Sequence, residues 1–146
     1  MDIQEKDILH RIMNGGITPE LEKHQQKCTH LGYLKRSTKN NPASIAEMIE
    51  VYLEETPQLI NTIRQAIHTK NWESVRITAH SIIPSFAIMG MDKKFGNIAK
   101  HIQENAGEKN AIVINELFQQ IENICLQACE ELKIDLASLG ANEQLL

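Results

Sequence analysis

The stretch Arg76-Ile77-Thr78-Ala79-His80-Ser81-Ile82-Ile83-Pro84-Ser85-Phe86-Ala87-Ile88-Met89-Gly90 sets one histidine apart from the other ionisable residues of the chain. Val75, Ala79, Ile82, Phe86 and Met89 recur at spacings of four, three, four and three, the signature of one buried helical stripe. At 100° per residue His80 points about 140° from the centre of that stripe, onto the outer face. Arg76 lies one turn before it, Ile83 and Pro84 one turn after, Ala87 two turns after, and Ile77 flanks it. A neutral imidazole is a competent nucleophile near neutral pH. The flat, mostly apolar surroundings would let another protein's backbone come close to it. The simpler reading is a surface histidine without a role, which describes most of them.

Other groupings offer less chemistry. Ser81 and Ser85 are near His80 in sequence, but their helix positions direct them to different faces and no oxyanion site accompanies them, so a hydrolase is the least favoured reading. His24, Cys28 and His30 lack a fourth ligand at a characteristic spacing, so no metal site is expected. Cys125 and Cys129 fall on the inner side of an apolar pattern and are expected as small core residues. His10, His68 and His101, like His24 and His30, are expected to be solvated or structural.

The segment around His80 resembles the histidine-containing phosphotransfer (HPt) domains of multistep phosphorelays. Their pattern is Ala-His, a variable residue, an aliphatic residue, Lys, a small residue or Pro, Ser, and a Gly about ten positions after the His. Ala79, His80, Ile82, Pro84, Ser85 and Gly90 match it, Phe86 and Met89 suit the variant that carries Pro, and Ile83 stands where the family has lysine. Leu31-Gly32-Tyr33-Leu34, Met48 to Pro57 and Asn71-Trp72-Glu73-Ser74-Val75 are similar to the family's preceding helices, so the resemblance covers residues 29–134.

The resemblance implies that His80 takes a phosphoryl group from an aspartyl phosphate on a receiver domain and passes it to an aspartate on another. The partners implied are receiver domains of response regulators or hybrid kinases, and the chain would act stoichiometrically rather than as a stand-alone enzyme. It implies no cofactor held by this chain, because the Mg2+ of such a transfer belongs to the receiver. The family's lysine can screen the phosphoryl charge. With Ile83 in its place, Arg76, four residues before His80, is expected to substitute, with Lys93 and Lys94 as more distant candidates. Ile77, Ile83, Pro84 and Ala87 are the expected docking residues around the ring. Two other readings compete: a degenerate relative that binds receivers without carrying phosphate, for which the missing lysine speaks, and an unrelated helical module docking a partner helix on Ile77, Ile83 and Pro84.

The elements that must position these residues are helical throughout. Residues 42–67 carry Ile45, Met48, Ile49, Tyr52, Leu53, Thr56, Leu59, Ile60, Ile63 and Ile67 on one face, with Asn41 as cap, Pro42 at the first position and a kink expected at Pro57. Asn71 is expected to cap a helix that runs to about Met89 and ends at Gly90. Phe95, Ile98, Ala99 and Ile102 mark a third helix that stops near Gly107, and residues 110–132 form the last. Four long amphipathic helices with short links predict an all-α fold, an antiparallel four-helix bundle over residues 29–134. Residues 1–28 are expected as an extension with short helical segments, and 135–146 as a loosely ordered tail.

Composition sets the remaining bounds. The 146 residues suit one domain with a single core. Fifteen Lys and Arg against nineteen Asp and Glu give a net charge of −4, and no basic run marks a nucleic-acid site. No stretch of eighteen apolar residues exists, so no membrane span is expected. The acidic start, with Asp2, Glu5 and Asp7, has the wrong charge for a secretory signal, so a cytoplasmic location is expected, while the family resemblance and a single exposed patch without a self-complementary seam imply a monomer.

Overall fold

The computed structural model describes residues 27–144, with side-chain detail to residue 140. All regular structure among them is helical: α1 (Gly32–Ser37), α2 (Pro42–His68), α3 (Trp72–Ile88), α4 (Asp92–Gly107) and α5 (Ala111–Gln144). The short helical segments expected in residues 1–28 lie outside the described residues except for Lys27 and Cys28, which belong to an irregular strap ahead of α1.

Local chemistry sets the helix boundaries. The Asn41 side chain accepts from Ser44 N–H at 3.1 Å, with Pro42 next to it, and Asn71 accepts from Ser74 N–H at 3.2 Å. The helices that precede the three later links end alike. Lys70, Gly90 and Lys109 take φ of 57°, 69° and 57°, and the residue after each donates its N–H back to the carbonyl of Ala66, Phe86 and Asn105 at 2.8, 2.7 and 2.9 Å. This left-handed closure satisfies carbonyls that a helix end would otherwise leave free. Only the α3–α4 link needs glycine for a second reason, since a Cβ on Gly90 would sit 2.3 Å from the His30 carbonyl oxygen.

α2 runs unbroken through Pro57, and its buried residues Ile45, Ile49, Tyr52, Thr56, Ile60, Ile63 and Ala66 form one stripe. α5 corrects the expected boundary at Leu132. Its inward positions continue from Ile114, Phe118, Ile121, Cys125, Ala128 and Leu132 to Leu136 and Leu139, which pack on the core, so the helix persists to Gln144 where a loose tail was expected. Unbroken spacing of four and three outweighs the one glycine, Gly140, which costs about 1 kcal/mol in a helix interior.

The main packing seams join α2 to α3, α3 to α4, α4 to α5 and α5 back to α2. Between them lie Val75, Ile82, Phe86, Ile102, Ile114 and Ile121, all buried. Each contributes about 1.5–3 kcal/mol by leaving water. Residues 28–30 are strapped across one end of these helices. Glu131 of α5 accepts from Cys28 N–H at 2.8 Å and from the Thr29 N–H and hydroxyl at 3.0 and 2.8 Å, while His30 N–H donates to the Met89 carbonyl at 2.9 Å. Burial alone would raise the Glu131 carboxyl, but these hydrogen bonds outweigh it and the net shift is downward.

Candidate functional site

His80 projects from the middle of α3 and is exposed, as its angular position demands, while its neighbours Val75, Ala79, Ile82 and Phe86 are buried on the opposite side. α4 supplies the group that orients the ring. Gln103 Nε2 lies 3.2 Å from His80 Nδ1, and no hydrogen bond to the ring's Nε2 is present among the described residues. An amide offers both a donor and an acceptor, so Gln103 can hold either tautomer by turning its plane. With Gln103 Oε1 accepting from Nδ1–H, the Nε2 lone pair is left free for attack.

The surroundings are low in relief. Ile77 is 51% exposed, Pro84 and Ala87 are exposed, and Ile83 is half-buried, packed against the core. Pro84 has no N–H to give the His80 carbonyl. The Ser81 hydroxyl donates to the Ile77 carbonyl at 3.1 Å, so it is engaged with its own helix.

Arg76 takes another direction. Its Nε donates to Glu73 at 3.1 Å and its Nη2 completes a two-point pair with the same carboxylate, one turn towards the start of α3 and away from His80. That pair holds the Glu73 carboxyl below its usual range and raises the Arg76 guanidinium. In this state the guanidinium is therefore not free for an anion at His80.

Of the imagined metal ligands, His24 lies outside the described residues. Cys28 is buried in the strap, with burial and then Glu131 pushing its thiol up to about 11, and the His30 ring accepts from Gly32 N–H at 3.1 Å. No three His, Cys, Asp or Glu side chains stand together as a metal site among the described residues. Nor is any described helix long and apolar enough to cross a membrane.

Protein-family models, curated proteins and solved structures contain no significant match to this chain. The functional reading therefore rests on its own residues.

Two features escaped the sequence. Gln103 carries no motif of its own, and only the α3–α4 seam brings it to a residue 23 positions away. The scattered basic residues also converge: Lys27, Arg36, Lys93 and Lys94 line one open cleft of about 810 Å³, together with Ala87 and Asp92. A separate hollow of about 460 Å³ between α2 and α5 is lined by Pro57, Ile60, Leu126 and the Arg64–Glu122 pair. Cys125 in its wall is pushed up to about 12 by burial, too far for a reactive thiol.

Proposed function

We propose that the chain is a phosphorelay intermediate of the HPt type, in which His80 accepts a phosphoryl group from a receiver-domain aspartyl phosphate and returns it to the aspartate of another receiver. The observation that carries this reading is the exposed His80 ring, held at Nδ1 by Gln103 and set in a flat ridge of Ile77, Pro84 and Ala87. The cyclic packing of α2 to α5 and their three-residue links support an antiparallel four-helix bundle as the scaffold.

In the forward step the Nε2 lone pair attacks phosphorus in line. A P–N bond forms, the P–O bond to the partner's aspartate breaks, and the carboxylate leaves with the electron pair. The proton on Nδ1 stays on the ring, its hydrogen bond accepted by Gln103 Oε1 once the amide turns its oxygen to the position that its nitrogen holds. Positioning between two proteins supplies most of the acceleration, so a shallow site without its own acid or base is suited to the task. Mg2+ is supplied by the receiver, and the reading places the protein in the cytoplasm as a monomer.

The half-buried Ile83 leaves the developing charge without a cation one turn after His80. Arg76 is proposed to fill that place once Glu73 releases it. The adaptor reading rests on this same gap and predicts receiver binding without labelling. The two are separated by transfer from a phosphorylated receiver encoded in the same genome to wild type and to His80→Gln. The expected result is an acid-labile, alkali-stable label on wild type that is absent from the variant. A folded wild-type protein that binds the receiver and stays unlabelled would sink the carrier reading in favour of the adaptor.

A further inference from the structure

We infer that the cleft between the 27–36 segment, the end of α3 and the start of α4 is a docking site for an acidic segment of the same partner that faces His80. This deepens the proposed function and rests on it. The whole chain carries a net charge of −4, yet four cations, Lys27, Arg36, Lys93 and Lys94, line this cleft against one carboxylate, Asp92. Lys27 shares its charge with Asp135 at 3.7 Å, whereas Arg36, Lys93 and Lys94 have no ion pair among the described residues. A local reversal of sign on an acidic protein is what steers a complementary partner.

The form of the cleft argues for a polypeptide. Its cations come from the 27–36 segment and from the start of α4 and line an open space of about 810 Å³, larger than a single phosphate would fill. It also joins the ridge around His80. Ala87 belongs to both, and Lys93 and Lys100 stand seven residues apart on one edge of α4, with Gln103 in the next turn. A partner seated on Ile77, Pro84 and Ala87 would thus reach the cleft without a gap. The strap that forms its far wall is pinned by Glu131 and by the close pass of His30 over Gly90, so the cleft is shaped before binding.

The test is receiver binding, together with transfer to His80, at low and high salt for full-length protein. Wild type is compared with Lys93→Glu/Lys94→Glu and with the charge-matched Lys70→Glu/Lys109→Glu pair in the links at the opposite helix ends. The cleft variant is expected to bind at least tenfold more weakly at low salt and to lose most of the salt dependence. The control pair should stay within about threefold of wild type, and its label on His80 in the saturated complex should be unchanged.

Equal weakening by the two double variants would reduce the effect to net charge and overturn the docking site. Loss that is specific to the cleft, with wild type unlabelled, would leave the docking site standing and remove the carrier reading, while labelling with binding indifferent to Lys93 and Lys94 would do the reverse. Tenfold tighter receiver binding on changing Glu20 and Glu22 to Gln would assign the cleft to the chain's own N-terminal segment and overturn the partner assignment. Tighter binding of a single-stranded oligonucleotide than of the receiver, lost in the cleft variant, would overturn it in favour of nucleic acid.

Discussion

Reactivity in the proposed carrier depends on two hydrogen-bonding arrangements that differ in kind. Gln103 meets His80 across a helix seam, and a neutral hydrogen bond of this sort is worth about 1 kcal/mol, or about fivefold in a rate if all of it is expressed in the transition state. Gln103→Ala is accordingly expected to slow phosphoryl transfer by up to about fivefold without changing the melting temperature by more than a degree or two. Arg76 is held by Glu73 in an exposed pair, which competes with any role towards phosphate. If Arg76 screens the phosphoryl group, Arg76→Ala shortens the phosphohistidine lifetime and Glu73→Gln lengthens it. Lifetimes that match wild type in both variants would remove Arg76 from the site.

Among the elements, the link from α3 to α4 is the most constrained. Lys70 and Lys109 show that a side chain can occupy the left-handed position at these links, whereas at Gly90 a Cβ would meet the His30 carbonyl. Gly90→Ala combines left-handed strain with a backbone clash and is expected to lower stability by about 2 kcal/mol or more. Lys70→Gly or Lys109→Gly should shift stability by less than about 1 kcal/mol. Chemical denaturation with a constant slope checks both, and comparable losses at the three links would contradict the role given to His30. The helix boundaries were mostly legible because Asn41, Pro42, Asn71 and Gly90 are local signals. The end of α5 was not legible because the charged Lys133 and Asp135 and the outward-facing Ile134 obscure the inward stripe without interrupting its period, which Leu136 and Leu139 resume.

Across the whole molecule, burial couples the core to alkaline pH. Desolvation pushes the Cys125 thiol up to about 12 and Cys28 to about 11, and raises the Tyr52 hydroxyl well above its ordinary range. The folded state keeps these protons while the unfolded chain releases them from about pH 9 upwards, so it binds more protons than the unfolded chain over that window and stability falls as pH rises. Under reducing conditions the denaturation midpoint should be lower at pH 10.5 than at pH 8, with part of the slope lost in Tyr52→Phe. Equal midpoints at the two pH values would refute the coupling.

Periodicity and caps in the sequence were enough to specify the all-helical character of the described residues, the stripes that face inward and the outward position of His80, because a helix converts spacing directly into direction. The company kept across seams was decided by the tertiary structure alone. Gln103 beside His80, Glu131 on the strap, and Lys27, Arg36, Lys93 and Lys94 around one cleft are pairings between distant residues. No local pattern encodes them, since they depend on how helices pack and on which edges then come together.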